Sequence, residues 1–364
     1  MLIVDAHEDI AYNMMAHGRD YTRSALKTRE MERDDAPASA RTVDCMLGLP
    51  EWLAGNTAVI FATIFAMPAS RKMSGAEKAA AYTTPQEAYT QGMQQLDVYY
   101  RLADENPHFA LVRTQRELDS VLATWQDGAP KSGAPKDKRQ IGLVILMEGA
   151  DPIVRPQDVE AWYERGLRIV GPAWLAGTRY AGGDSAPGPL TDEGKRLLQT
   201  MLDLNMVLDV SHLSDQACLQ ALDRYDGPVI ASHSNPRAQV HGGRQLSDDM
   251  IKALLARDGV IGACMYNSML LRGWRDGDRK DAVTLAHVVA AMDHICQMAG
   301  DARHVGLGTD FDGGFGAESA PAELDTVADL GRVADALKAR GYAHADVEAI
   351  MSGNWLRQLR RALA

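Results

Sequence analysis

A chain of 364 residues that is 46% hydrophobic and 24% charged has the make-up of a globular protein able to bury a substantial core. Its formal net charge of −11, from 38 Lys and Arg against 49 Asp and Glu, argues against nucleic acid or an anionic membrane as a partner, because both need clustered positive charge. Four scattered cysteines (Cys45, Cys218, Cys264 and Cys296) form no CxxC pair and read as buried reduced thiols, which fits a cytoplasmic protein. The chain opens on MLIVDAHED without a leader pattern, and no apolar stretch is long enough to span a bilayer.

In chain order, apolar and largely β-type runs predict eight strands, over 2–6, 57–65, 142–147, 167–173, 206–210, 229–232, 260–265 and 305–309. Helical periodicity fills most of the gaps, over 156–165, 192–204, 214–224, 247–257, 285–299 and 325–340. Several of these stretches open on an N-cap residue followed by acids, as in Thr191-Asp192-Glu193 and Ser247-Asp248-Asp249. The closing segment GNWLRQLRRALA reads as an amphipathic basic helix. Strand alternating with helix eight times predicts a single α/β domain over 1–364, a TIM-type (β/α)8 barrel. Residues 11–56 make a long βα connection on the face where such barrels keep their chemistry, and are expected to help roof the site. The Gly/Pro/Lys-rich stretch 127–139 follows a helix and is expected to be an inert loop on the opposite face.

Five of the strand runs end on ionisable residues: LIVDAHEDI, LVILMEGAD, VLDVSHLSD, VIASHSNPR and VGLGTDFDG. His7 and Asp9 lie two apart and are expected to share a face. Glu148 closes an otherwise apolar run, where a lone charge is costly unless paired or bound to metal. His212 and His233 hold matching Ser-His positions on consecutive strands, about 4.8 Å apart in a barrel. Asp310 closes the last strand. Together these residues read as ligands for two divalent ions with Glu148 bridging, and donors without thiolate suit Zn²⁺, with Mn²⁺ or Co²⁺ as substitutes. Such a site generates a bridging hydroxide at neutral pH, and Asp310 is left over to move its proton. Asp312 reads as a structural cap. The remaining histidines are assigned to solvated or capping roles, including His241 in a loop.

These motifs resemble the membrane dipeptidase (peptidase M19) family of the amidohydrolase superfamily. The resemblance runs through DAHED, LMEG, DVSHLSD, VIASHSNPRA, GGRQLSDD, CMYN, HVGLGTDFDG and GNWLR. It implies His7, Asp9 and Glu148 on one zinc and Glu148, His212 and His233 on the other. It further implies Asp310 as the proton-transfer residue meeting the substrate amine, Arg244 on the substrate carboxylate, and Tyr266 as a substrate contact. One departure stands out, since the family's EGxH reads Glu148-Gly149-Ala150-Asp151 here. An anion cannot donate a hydrogen bond to a developing oxyanion, so Asp151 is expected to bind a cationic substrate group, or Arg179 or Tyr180 to supply the donor. Three readings follow: a dizinc dipeptidase acting on small dipeptides; an amidohydrolase acting on N-acyl amino acids, lactones or related amides; and a metal-binding barrel without activity. A homodimer is left open.

Overall fold

The apolar runs pair as parallel strands: β1 (Ile3–Glu8), β2 (Thr57–Phe65), β3 (Phe109–Leu111), β4 (Ile141–Glu148), β5 (Leu167–Gly171), β6 (Val207–Asp209), β7 (Val229–Ala231), β8 (Val260–Ala263) and β9 (Val305–Leu307). The structure is a computed structural model, and it describes residues 1–35, 43–70, 81–126 and 138–364. The strand order β2-β1-β9-β8-β7-β6-β5-β4, closed by pairing of β2 with β4, makes a parallel barrel of eight strands. Helices flank it, as the (β/α)8 reading expects. The short β3 lies outside the ring. It pairs with Ile141–Leu143 of β4, while β5 pairs with the same edge from Ile145 onward.

Alternation along the strands sorts the core into two layers. Val4 and Ala6, Val59 and Phe61, Val144 and Leu146, with Ile169, Val207, Ile230 and Val260, form one cluster spanning strands that are not neighbours, which only the barrel interior allows. The intervening residues, such as Ile60, Leu143, Ile145, Leu208 and Leu307, belong to the larger layer between barrel and helices. The closing helix Asn354–Ala362 joins the interior cluster through Trp355, Leu359 and Ala362, so it plugs the N-terminal end of the barrel. Trp355 Nε1 donates to Leu307 O at 2.8 Å, and the ring meets Phe61 edge-on at 5.4 Å. Gly306 makes room for it, because a Cβ there would sit 2.2 Å from Trp355 Nε1.

The expected N-caps form. Thr191, Ser214 and Ser247 accept from the backbone N–H of Gly194, Ala217 and Met250. Among its described residues the β1–β2 connection carries the helices Ile10–His17, Ala25–Asp35 and Leu49–Gly55. Asp312 ties it to the last strand, accepting from Tyr21 Oη at 2.8 Å and Met46 N at 2.8 Å, with Arg19 Nη1 at 3.1 Å. Asp312 is thus a buried clamp more than a turn cap. Most of the loop expected over 127–139 lies outside the described residues.

Candidate active site

At the C-terminal end of the barrel each candidate side chain is held by the geometry of its own strand end. Glu148 continues the inward alternation of Val144 and Leu146. His7 does not follow alternation: the β1–β2 register shifts between Asp5 and Glu8, so an extra residue is accommodated there and re-aims the strand end. Asp9 lies just past the strand, at the N-cap of the helix Ile10–His17. The two side chains do come together, through this bulge and cap rather than through a shared face of a regular strand. Asp310 has a left-handed backbone at φ +61, as has Asp312. Outside glycine that region costs of order 1–3 kcal/mol and gathers at functional sites.

Among the described residues three sets of ligand atoms lie within 4.8 Å of one another: His7, Asp9 and Glu148; Glu148, His212 and His233; and His7, His233 and Asp310. Glu148 Oε1 is 2.7 Å from His212 Nε2 and 3.3 Å from His233 Nε2, while Oε2 is 3.7 Å from His7 Nε2. Asp310 Oδ1 is 3.8 Å from His7 Nε2. The donor set fits a metal on two counts. His7 Nε2 and Asp9 Oδ1 are buried without a hydrogen-bond partner, although both belong to the cluster. His212 Nε2 and His233 Nε2 are 3.1 Å apart, a spacing of two nitrogens that calls for a cation or a proton between them.

The electrostatics agree. Burial, reinforced by Glu148, pushes the Asp9 carboxyl well above the ordinary range. Burial likewise raises Asp310 to about 6, against the pull of His7. Burial opposes the charge of Glu148, but His7 and His212 outweigh it and hold this carboxyl well below its usual value. Burial also opposes a charged His7, yet Glu148, Asp9 and Asp310 lift it to about 10. His233 is pushed well down by burial, then by His7 and Arg244, and stays a neutral ligand-type imidazole. Acids crowded this closely are best relieved by added positive charge, which a dication supplies.

A cavity of about 540 Å³ opens onto the cluster. Asp9, Glu148, His212, Asp310, Arg244 and Tyr266 line it, and His7 and His233 sit behind them, 0% and 1% exposed. Arg244 already donates to Ser211 O at 2.9 Å, Ser234 Oγ at 3.1 Å and His233 O at 2.6 Å, which sets its guanidinium firmly at the cavity wall. Tyr266 stacks on Phe315 at 4.7 Å, and its hydroxyl donates to Asp276 at 2.7 Å. Gly313 leaves room beside the acids, since a Cβ there would be 2.1 Å from Asp310 Oδ1.

The structure does not bring Asp151 to this cavity. Its carboxylate accepts from Tyr82 Oη at 2.5 Å and faces Arg179 Nη2 at 4.0 Å. Burial, partly offset by Tyr82 and Arg179, raises its pKa. Arg179 and Tyr180, the candidate replacement donors, point to Val154 O and Ile153 O and are not among the lining residues. Gly149, at φ +76, turns the chain as it leaves β4. Conversely His241, assigned to a loop role, does line the cavity. Residues not singled out from sequence include an apolar wall of Tyr12, Phe65, Met67, Trp174 and Leu175. They also include Asp184, which lies 2.8 Å from His212 Nδ1. No motif marks Asp184 or Trp174. The alternation of β2 carries Phe65 to the same end as Glu148.

The family model for membrane dipeptidases (peptidase family M19) matches residues 1–363. An uncharacterized protein from the pqqA 5′ region of Klebsiella pneumoniae is 32% identical over 235 residues, covering 62% of this chain and 83% of that protein. An uncharacterized dipeptidase of Schizosaccharomyces pombe is 27% identical over 277 residues, covering 74% of this chain and 62% of its own length, so the chain spans about three fifths of that relative. In fold, the chain superposes on the crystal structure of a metallo peptidase from Rhodobacter sphaeroides, liganded with a phosphinate mimic of the dipeptide L-Ala-D-Ala. That match has a TM-score of 0.77 at 21% identity and covers 100% of this chain and 99% of the other. The barrel, the histidine–carboxylate cluster at its C-terminal end and the match over nearly every residue agree, and the chain belongs to the membrane dipeptidase family, peptidase family M19, a family of peptide-bond hydrolases.

Proposed function

We propose that this chain, read as one catalytic domain, is a metal-dependent dipeptidase that hydrolyses the peptide bond of small dipeptides. The observation that carries the reading is the position of Glu148. Its two oxygens divide between the imidazoles of His212 and His233 on one side and that of His7 on the other. One carboxylate so placed would serve two ions, the first held with His7 and Asp9, the second with His212 and His233. Zn²⁺ suits these donors best, with Mn²⁺ or Co²⁺ as substitutes. When bound, the ions supply Lewis acidity at the scissile carbonyl and an activated water.

The remaining steps belong to the chain's own side chains. Asp310 accepts the proton of the attacking water and returns it to the leaving amine as the C–N bond breaks. Arg244 presents its guanidinium edge to the substrate carboxylate, a task its fork suits better than a lysine would. Tyr266 borders the bound dipeptide. The four cysteines are free and buried, which supports a reducing, cytoplasmic setting. No helix among the described residues is long and apolar enough to cross a membrane.

The apolar wall around Phe65 and Trp174 favours a second substrate class, N-acyl amino acids, whose acyl chains it would cover. Steady-state assays of the zinc-loaded protein on L,L and L,D dipeptides, N-acyl amino acids and lactones separate the two. The dipeptidase reading expects the highest kcat/KM on dipeptides with a free carboxylate. Preference for N-acyl substrates would replace it, and activity on none of them would leave a metal-binding barrel.

A further inference from the structure

Each of two proposed ligands, His212 and His233, follows a serine in sequence, and the dipeptidase reading gives those serines no task. In the structure both hydroxyls converge on Asp209, the last residue of β6, which is 3% exposed. Asp209 Oδ1 accepts from Ser211 N at 3.1 Å, Ser211 Oγ at 2.7 Å and Ser232 N at 2.9 Å. Its Oδ2 accepts from Ser232 Oγ at 2.5 Å. Ser232 Oγ in turn lies 2.8 Å from His233 Nδ1 and 3.2 Å from His7 Nδ1.

Ser211 Oγ also lies 3.2 Å from Ser232 Oγ, but its shorter contact, 2.7 Å to Asp209 Oδ1, takes its proton, and proton counting then favours one arrangement. A carboxylate only accepts, while a hydroxyl has one proton and two acceptor lone pairs. The Ser232 proton goes to Asp209, so both lone pairs of its oxygen receive protons from imidazoles. As the neutral imidazoles that a metal requires, His7 and His233 would therefore each carry their hydrogen on Nδ1, which leaves both Nε2 lone pairs for the ligand cluster. His212 is held independently, by Asp184.

We propose that Asp209, acting through Ser232, is a positioning residue that sets the tautomer of His7 and His233 together, so that the two metal positions share one outer support and weaken together when it is lost. This inference rests on the two-ion reading above. Second-sphere carboxylates commonly orient one histidine each; here one carboxylate reaches a ligand of both ions through a single hydroxyl. The substitution Asp209→Asn is close to isosteric and still disruptive, because neither rotamer of the amide fits. With the NH₂ toward Ser232, the amide donates to the hydroxyl and drives its proton onto an imidazole Nδ1. With the NH₂ on the other side, it faces the Ser211 and Ser232 backbone N–H groups, donor against donor.

The test is zinc titration of the metal-free full-length protein in competition with a chromophoric chelator, for wild type, Asp209→Asn and Ser232→Ala. It is joined by nitrogen-15 NMR of the histidine side chains in the zinc-loaded proteins, with circular dichroism to check folding. Wild type is expected to take up two ions and to show Nδ1–H imidazoles at His7 and His233. Both variants are expected to bind each of the two ions about 10- to 100-fold more weakly, the usual cost of losing an outer-sphere partner. Should Asp209→Asn fail to fold, Ser232→Ala decides, since it adds no polar group. A wild type that binds no zinc would overturn the two-ion reading, and this inference with it. A wild type that binds two, beside folded variants that bind both at unchanged affinity or lose only one, would overturn this inference alone. So would Nε2–H signals from His7 or His233 in wild type.

Discussion

At the N-terminal end of the barrel Val4, Val144, Val207 and Ile230 turn inward beneath Trp355; a few residues further along the same four strands the inward groups are His7, Glu148, Asp209 and Ser232. These side chains are buried at both ends, yet burial means opposite things in them. Apolar surface removed from water stabilises the lower end by about 25 cal/mol per Å². At the upper end burial sets carboxylates against one another, raising Asp9 well above its ordinary range and Asp310 to about 6. A fold keeps such a cluster only where the rest of the molecule stabilises it and something bound relieves it. The lower end should therefore govern stability and leave the chemistry alone, and the upper end the reverse.

The sharpest attempt to break that division is Asp310→Asn. It is expected to lower kcat by about 10²–10⁴, the usual range for a lost acid–base group. Metal content and melting temperature should stay near wild type. Steady-state kinetics with metal analysis and calorimetry check it, and unchanged turnover would remove Asp310 from proton transfer. At the opposite end Trp355→Ala should destabilise by about 3–5 kcal/mol, as large core truncations do, while kcat per folded molecule and bound metal remain unchanged. Denaturant titration beside the same assays measures this.

Stripping the metal tests whether the upper end gains stability from what it binds. With free zinc 100-fold above Kd, each ion should add about 2.7 kcal/mol, so a chelator should lower the melting temperature of wild type. Trp355→Ala should show the same increment, because its damage lies elsewhere. The smallest effect is expected at Asp151, whose carboxylate is turned onto Tyr82 and Arg179. Asp151→Asn should stay within about 0.5 kcal/mol, roughly two-fold in kcat/KM. Its profiles over neutral and basic dipeptides should run parallel to wild type. Diverging profiles would return Asp151 to the substrate.

How much of this was legible in sequence also differs between the two ends. Parallel strands buried on both faces are continuous apolar runs, so all eight barrel strands were readable to within a few residues. The strand Phe109–Leu111 was not, because three residues form no pattern. The helix Pro85–Glu105 lies outside the expected helices although Thr84, Pro85 and Glu87 spell a capping box. At the upper end, the side chains that close a strand run were found by their charge: His7, Glu148, His212, His233 and Asp310. Those arriving from loops were not. Asp184 reaches His212, and Trp174 walls the cavity, from the long segment after β5, where no periodicity ties sequence position to direction. Asp151 is the converse case: it lies beside Glu148 in sequence, while in the structure its carboxylate is turned onto Tyr82 and Arg179.

The central claim is that Glu148 joins two metal positions, and ion content per chain tests it most directly. Wild type and Glu148→Gln, both prepared zinc-replete and both shown to be folded, would be compared by elemental analysis. Close to two divalent ions per chain in wild type and fewer than one in Glu148→Gln is the predicted result. A wild type without bound metal, or a Glu148→Gln protein that keeps both ions, would contradict it.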